Sequence, residues 1–333
     1  MPPTAGCGHG GRGSRRVDLR ISTLPTTYGE RVVIRLLDTS SSSALLNFAS
    51  LGMPPAIESR FKQQASRTSG IVLVTGPTGS GKTTTLYTTL AWVTQVNSSA
   101  SRAGGRGNRG CELNIMTIED PVEYDLSTAG LTISQTQLNT KKGVTFAAGL
   151  RHILRQDPDV IMVGEVRDEE TARIAVQSSL TGHLVLSTLH TNDAPSAVAR
   201  LLDLKIEPFL AASSLSAVLA QRLVRKVHAA CAGAGCDGDG GCNTTGYKGR
   251  TGVFELLVLD EPMREMVTQH ATAGSLRESA RRGGMRSLLE AGLAMVEAGV
   301  TTREELARVV EGGLDEELRT TAGGLQPGQG EPP

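Results

Sequence analysis

The octapeptide GPTGSGKT at residues 76–83 limits the possible folds more than any other segment of the sequence. It follows the apolar run IVLVT at residues 71–75, which is typical of a strand buried on both faces of a parallel sheet. It fits the pattern G-x-x-x-x-G-K-[ST], and a helical segment follows from Lys82. Glycines let backbone N–H groups curl around an anion, and a helix start adds a positive dipole end. The sequence therefore predicts a strand–loop–helix unit that holds phosphate groups. An ordinary glycine-rich turn is the alternative.

The pattern after this unit predicts an α/β fold. Apolar runs predict further buried strands at 114–118, 160–164 and 184–188, and helical segments at 82–96, 145–156, 169–180 and 193–203 alternate with them. This βαβ alternation indicates a parallel sheet. Upstream, we expect a β-hairpin over 17–37 and a small helix over 54–65. Downstream, residues 260–312 are predicted to be helical, with capping boxes at Ser275/Glu278 and Thr302/Glu305.

Composition excludes several classes of protein. The 333 residues carry 34 basic and 34 acidic side chains, which does not favour general binding to nucleic acid or to an anionic membrane. The sequence has no run of 18 apolar residues and no secretory signal, so we expect a cytoplasmic protein. Five cysteines fit a reducing compartment. We expect residues 1–16 and 319–333 to be disordered and the Gly/Arg/Ser insertion at 98–110 to be a flexible loop.

Two residues of the octapeptide are predicted to act on a nucleotide directly. Lys82 is predicted to be catalytic and would reach the β- and γ-phosphates, and the Thr83 hydroxyl would hold Mg²⁺. The other predicted nucleotide-binding residues here are Gly76, Pro77, Thr78, Gly79, Ser80, Gly81 and Thr84.

A second buried strand ends in a carboxylate. In DVIMVGE (159–165), Gly164 stands where many phosphate-loop enzymes place an aspartate, which leaves Glu165 as the lone acid. Glu165 is predicted to be catalytic, and either polarises water or holds Mg²⁺. A surface acid that caps the strand is the alternative.

Other polar residues also flank predicted strands. Glu119, Asp120 and Glu123 follow NIMTI and form an acidic turn, which Mg²⁺ or arginines would neutralise unless it is simply solvated. Glu119 is also a catalytic candidate. His183 and His190 flank the strand at 184–188, and we predict that they sense the γ-phosphate, against the alternative of structural histidines.

Taken together, four segments carry a resemblance to a known family. GPTGSGKT, TIEDPVEY, LRQDPDVIMVGEVRD and TGHLVLSTLHTNDA resemble, in this order, the Walker A, Asp-box, Walker B and His-box motifs of the secretion ATPase superfamily. The segments VDLRISTLPTTYGERVVIRLLD, IEPFLAASSLSAVLAQRLVRK and TGYKGRTGVFELL resemble the type II secretion and type IV pilus assembly ATPases. The resemblance covers residues 17–310.

The resemblance implies a fold and an assembly. We expect a RecA-like ATPase domain over 66–318, with a Gly/Cys-rich loop at 228–249 and C-terminal helices. A PAS-like N-terminal β domain and linker would occupy 17–65, and this domain would be truncated because only its last strands match. Six chains would form a ring, in which Arg20 and Arg35 close over the phosphates. Arg151, Arg155 and Arg167 would neutralise the acidic turn or contact a neighbouring subunit.

The cysteine-rich loop departs from the family pattern. Relatives often carry two C-x-x-C pairs that bind zinc, whereas this chain offers His228, Cys231, Cys236 and Cys242. These four residues form either a Zn²⁺ site or a degenerate loop without metal.

The resemblance also implies a function. We expect an ATPase, with ATP and Mg²⁺, that powers pseudopilus assembly in a type II secretion system from the cytoplasmic side of the inner membrane. Its partners would be an inner-membrane platform protein and a cytoplasmic-membrane docking protein, and not nucleic acid. Type IV pilus assembly, a truncated nucleotide-binding module without turnover and a nucleic-acid motor are the alternatives.

Overall fold

The computed structural model describes residues 18–37, 46–102, 113–139, 144–236 and 242–310. The strands are β1 (Asp18–Thr26), β2 (Gly29–Leu37), β3 (Gly70–Thr75), β4 (Ile115–Glu119), β5 (Ser134–Gln137), β6 (Val160–Val163), β7 (Leu184–Leu189), β8 (Leu215–Val227) and β9 (Tyr247–Val258). The helices are α1 (Phe48–Leu51), α2 (Pro55–Ala65), α3 (Lys82–Arg102), α4 (Phe146–Ile153), α5 (Glu169–Leu180), α6 (Ala194–Asp203), α7 (Pro208–Ser214), α8 (Glu261–Thr268), α9 (Ala273–Arg282), α10 (Leu288–Glu297) and α11 (Arg303–Val309).

Seven strands form one sheet in the order β5-β4-β6-β7-β3-β8-β9. Every neighbouring pair is parallel except β8 and β9, which are antiparallel. Apolar side chains pack on both faces, and β3, β6 and β7 are buried along their whole length. This burial explains their continuous apolar runs, and the predicted parallel α/β sheet is confirmed.

The sheet topology places several loops side by side. The parallel strands β3, β4, β6 and β7 end at Thr75, Glu119, Val163 and Leu189. Because parallel strands end at a common edge, the segments that follow them meet there, which is where α/β sheets hold their ligands. We call this the carboxyl edge of the sheet.

The N-terminal hairpin is confirmed, and β1 and β2 form a separate two-stranded antiparallel sheet. Its register makes Arg20 the Cα partner of Arg35. The PAS-like assignment of this region stays a prediction. The lead at 1–16, residues 103–110 of the insertion and the tail at 319–333 lie outside the described residues.

Some elements differ from the sequence-based expectation. The sequence did not predict β8 and β9, because the run LSAVLAQRLVRKV has neither strict alternation nor a purely apolar core. Helix α3 extends to Arg102, into the segment expected to be a loop.

Two helix starts were predicted from capping boxes, with different outcomes. Helix α9 is capped by Thr272, whose hydroxyl accepts a hydrogen bond from the Ser275 N–H, so the Ser275 box is wrong. Thr302 caps α11 as expected. Within the described residues, no helix combines the length and the apolar character needed to cross a bilayer.

Candidate functional site

The phosphate loop joins β3 to α3 at the carboxyl edge. Gly76, Gly79 and Gly81 have φ values of 149°, 80° and 87°, which residues with a side chain rarely adopt. A Cβ on Gly76 would lie 2.4 Å from the Gln221 carbonyl oxygen. The predicted strand–loop–helix unit is therefore confirmed. Backbone conformation favours glycine at all three positions, and close neighbours also leave no room for a side chain at Gly76 and Gly81.

The ammonium group of Lys82 is enclosed by this loop. Its Nζ donates to the carbonyl oxygens of Gly76 at 2.7 Å and of Pro77 at 3.0 Å. Burial lowers the pKa of Lys82 to about 8, while the nearby Glu165 carboxylate acts in the opposite direction. The loop thus holds a poorly solvated cation that an anionic phosphate would stabilise.

A cavity of about 600 Å³ opens beside the loop, and we call it the P-loop cavity. The predicted residues that line it are Thr78, Gly79, Gly81, Lys82, Thr83, Thr84, Glu119, Asp120, Glu123, Glu165, Arg167 and His190. Ser80, within the loop, has a buried hydroxyl with no hydrogen-bond partner among the described residues. The volume lies within the usual range for small-molecule sites.

The Glu165 carboxylate faces this cavity and lies beside an arginine and a histidine. One oxygen lies 2.5 Å from Nη2 of Arg167, and the other lies 3.5 Å from Nε2 of His190. Val166 N–H donates to the Thr188 carbonyl oxygen at 3.0 Å, so the segment after β6 is fixed to the end of β7. Burial lowers the pKa of His190, with the Lys82 charge adding to the effect.

Glu119 lines the P-loop cavity but is almost fully buried. Its carboxylate accepts hydrogen bonds from Tyr87 and from Thr117 at 2.5 Å and Gln135 at 3.1 Å. Burial raises the pKa of this carboxyl group. With three side-chain donors already on it, Glu119 is better placed to fix Tyr87 and strand β5 than to activate water. Asp120 and Glu123 are the members of the acidic turn that remain more accessible.

The two predicted histidine sensors lie at opposite ends of β7. His190 directly follows the strand and reaches the P-loop cavity. His183 precedes the strand, and its Nδ1 lies 2.8 Å from the Ser178 carbonyl oxygen at the end of α5. It lines a different cavity at the amino edge of the sheet, with Arg67 and Pro158. This position argues against phosphate sensing by His183 and favours the structural alternative.

The predicted arginines also separate. Arg167 lines the P-loop cavity, and its hydrogen bond to Glu165 raises its pKa, with the charges of Glu165 and Asp120 adding to the effect. Arg151 forms an exposed ion pair with Glu170 at 2.5 Å, and Arg155 is exposed. Neither Arg151 nor Arg155 lines the P-loop cavity, so within one chain the geometry favours Arg167 as the neutraliser of the acidic turn.

Sequence reasoning missed two contributors from β8 and β9. Arg250 lines the P-loop cavity, and the buried Gln221 accepts a hydrogen bond from the Thr85 hydroxyl at 2.6 Å. Both residues lie in segments that carried the family resemblance, AQRLVRK and TGYKGRTG. Those segments could have pointed to the site, but the strands that bring them to the loop were not predicted.

His228, Cys231, Cys236 and Cys242 form a second compact group, which we call the Cys/His cluster. Their donor atoms all lie within 4.8 Å of one another. The His228 Nδ1 is 3.4 Å and 3.5 Å from the sulfur atoms of Cys231 and Cys236, and Cys242 Sγ is 4.0 Å and 3.0 Å from the same two. Hydrogen bonds from the Cys236 side chain and backbone lower the pKa of Cys242. Three thiols and an imidazole at this spacing fit tetrahedral Zn²⁺, whose bonds to sulfur are about 2.3 Å long.

Comparison with known families agrees with this geometry. The family described as "Type II/IV secretion system protein" matches residues 12–308. The chain is 52% identical to the type II secretion system protein HxcR of Pseudomonas aeruginosa, over 89% of this chain and 60% of that protein. It is 43% identical to the type IV pilus assembly ATPase PilB of Thermus thermophilus, over 90% of this chain and 34% of that protein. The chain thus spans about 60% of the length of HxcR.

Among solved structures, the chain resembles the pilus retraction motor PilT with bound ADP. The TM-score is 0.68 at 27% identity, over 93% of this chain and 78% of that one. The fold is therefore that of the RecA-like secretion ATPases.

Proposed function

The chain belongs to the type II/IV secretion system protein family, and from that membership we propose that it is an ATPase that powers protein export by a type II secretion system. The observation that carries the proposal is the convergence of Lys82 and Glu165 on one cavity beside the phosphate loop. The Lys82 ammonium group would bind the triphosphate, and the Glu165 carboxylate would orient the attacking water molecule.

The chemistry follows from these positions. Backbone N–H groups of the loop and the Lys82 ammonium hold the β- and γ-phosphates of ATP. Glu165 orients a water molecule toward the γ-phosphorus atom. The new P–O bond forms as the bond to the β,γ-bridging oxygen breaks, and the water proton passes to the carboxylate or to the released phosphate. Arg167 and His190 hold the Glu165 carboxylate in place.

The oxygen donors beside the loop fit a magnesium ion. The Thr83 hydroxyl and the Glu165 carboxylate both line the cavity, and Mg²⁺ prefers oxygen ligands. When bound, Mg²⁺ would neutralise phosphate charge.

Turnover of the full 333-residue chain tests the ATPase proposal. We expect Mg–ATP hydrolysis by the wild type and a loss of at least about 100-fold in Lys82→Ala. Lys205→Ala is the matched control, because Lys205 pairs with Glu169 on the surface and does not line the P-loop cavity. Equal turnover in Lys82→Ala would overturn the proposal. Nucleotide binding by the wild type without turnover would instead support the alternative of a binding module.

The type of machine is a finer proposal. We favour type II secretion over type IV pilus assembly, which agrees with the higher identity to HxcR than to PilB. Expression in a secretion mutant and in a piliation mutant separates the two, and restored piliation without restored secretion would reverse our choice.

We propose that the working form is a homo-hexamer bound peripherally at the inner membrane. A platform protein and a docking protein of the machine would be its membrane partners. In this assembly Arg20 and Arg35, which are Cα partners in the hairpin, would close over the phosphates.

We further propose that the Cys/His cluster binds one structural Zn²⁺. His228 follows β8 and Cys242 precedes β9, so a metal ion would fasten the connection between these two strands. The short distances between the four donor atoms support this proposal.

A further inference from the structure

Arg222 is a buried cation beneath the phosphate loop. It lies in β8, next to β3, and is only 5% exposed. A Cβ on Gly76 would lie 3.2 Å from its Nη1 atom, so the guanidinium packs directly against the first residue of the loop. Its charge also contributes to the lowered pKa of Lys82.

The guanidinium donates to a carbonyl group of its own strand and to carbonyl groups of two other segments. Its Nη1 donates to the Gln221 carbonyl oxygen at 3.1 Å, its Nη2 to that of Asn192 at 2.8 Å, and its Nε to that of Val309 at 3.2 Å. A planar guanidinium can donate in fixed directions to several acceptors at once, whereas an ammonium group cannot reproduce this fork.

Asn192 belongs to the segment that leaves the P-loop cavity. Two residues earlier, His190 faces Glu165, and Thr191 N–H donates to the Thr75 hydroxyl at 2.9 Å just before the phosphate loop. Arg222 therefore holds the backbone of the short segment that carries His190 into the P-loop cavity.

Val309 is the last residue of α11, which has a second attachment to the same strand. Glu305 of α11 accepts hydrogen bonds from Arg225, through its backbone N–H at 3.0 Å and its Nε at 2.9 Å. Arg225 does not line the P-loop cavity. The two arginines of β8 thus both hold α11, and Arg222 also holds the Asn192 carbonyl group in the segment after β7.

We propose that Arg222 is a positioning residue that couples nucleotide occupancy of the P-loop cavity to helix α11. This inference rests on the proposed ATPase function. Through Arg222, the phosphate loop, the His190 segment and the end of α11 move together, so the helix responds to the nucleotide without touching it.

Hydrogen–deuterium exchange of the full chain, with and without Mg–ADP, tests the coupling. In the wild type we expect slower exchange with Mg–ADP at two places, the phosphate loop and α11. Arg222→Gln should keep the protection of the phosphate loop and lose that of α11. Arg225→Gln, the matched control, should exchange faster in α11 throughout and still respond to Mg–ADP.

Kinetics adds a second readout. Arg222→Gln should lower kcat by about tenfold and change KM by less than about threefold. The reason is that the Arg222 guanidinium orients the His190 segment and does not line the P-loop cavity. Arg222→Lys keeps the charge without the fork, and should show the same loss of response in α11. If Arg222→Gln does not fold, as judged by its thermal melt, Arg222→Lys decides.

Three results would overturn the inference. The first is that Mg–ADP slows exchange in α11 of both Arg222 variants as much as in the wild type. The second is that Mg–ADP protects the phosphate loop of the wild type but does not change exchange in α11. The third is that Arg225→Gln loses the protection of α11 as fully as the Arg222 variants do. A wild-type phosphate loop without protection by Mg–ADP would have a different meaning, since it would remove the proposed function and this inference with it.

Discussion

The P-loop cavity and the Cys/His cluster are both formed where strands of the same sheet end, yet they are held in different ways. The cavity is surrounded by segments that follow four parallel strands, and two of its charged groups, Lys82 and Glu165, already have partners in the protein. The cluster consists of one connection between β8 and β9, and its four donor atoms face one another. The cavity is therefore formed by the fold itself, whereas the cluster would be held together by the zinc ion that we propose for it.

The largest effect on the P-loop cavity should come from removing its Glu165 carboxylate. Glu165→Gln keeps the size of the side chain but cannot accept a proton, so we expect kcat to fall by about 100-fold or more with little change in KM. Steady-state phosphate release measures both constants.

Glu169→Gln is the matched control for this substitution, since Glu169 forms exposed ion pairs with Arg173 and Lys205. Glu119→Gln should affect kcat less than Glu165→Gln, because Glu119 is held by Tyr87, Thr117 and Gln135. If Glu119→Gln were the more damaging of the two, the original assignment of Glu119 as catalytic would be restored.

Metal removal tests the cluster. We expect about one zinc ion per purified chain, and we expect Cys242→Ser to lose it and to lower Tm by about 5 °C or more. Elemental analysis and thermal melts provide the measurements. Cys7→Ser is a control outside the cluster and outside the described residues. A chain that carries no zinc, with the same Tm in both variants, would favour the degenerate loop without metal.

The two sites also differ in how far the sequence predicts them. The phosphate loop has a fixed spacing, and the buried parallel strands beside it appear as apolar runs, so its geometry could be predicted residue by residue. Glu119 and Glu165 both follow such runs, but the sequence does not show that Tyr87 and Gln135 bind the former. That distinction depends on packing between helix α3 and strand β5, which no local pattern encodes.

The geometry of the Cys/His cluster, in contrast, could not be predicted from the sequence. The interval from Cys236 to Cys242 matches no standard metal motif, so the spacing left zinc and an empty loop both open. The structure brings the donor atoms within 4.8 Å of one another because β8 and β9 pair and return the chain to its starting point. These strands, and with them Gln221 and Arg222, were not recognised as strands from the sequence.

The histidines at the two ends of β7 test whether residues at the carboxyl edge and at the amino edge of the sheet differ in their effect on catalysis. His190→Ala should lower kcat by about tenfold, because it removes one of the two groups that hold Glu165. His183→Ala should change kcat by less than about twofold and act mainly on stability, since its partner is the Ser178 carbonyl oxygen. If the two substitutions lowered kcat equally, the position of a histidine at the carboxyl or amino edge would not determine whether it takes part in catalysis.

The smallest effect concerns the charge of Lys82 in the P-loop cavity. Burial lowers the pKa of Lys82 to about 8, so near pH 8 only about half of the nucleotide-free chains carry the ammonium group that phosphate binding needs. The sign follows directly, because bound phosphates favour the protonated form, and affinity must fall as pH rises through this pKa. We expect the Kd for Mg–ADP to be about twofold higher at pH 8 than at pH 7, with proton uptake on binding. Calorimetry in buffers of different ionisation enthalpy measures both quantities. Lys82→Arg stays charged in this range and should lose the pH dependence, so an unchanged dependence in that variant would assign the effect to another group.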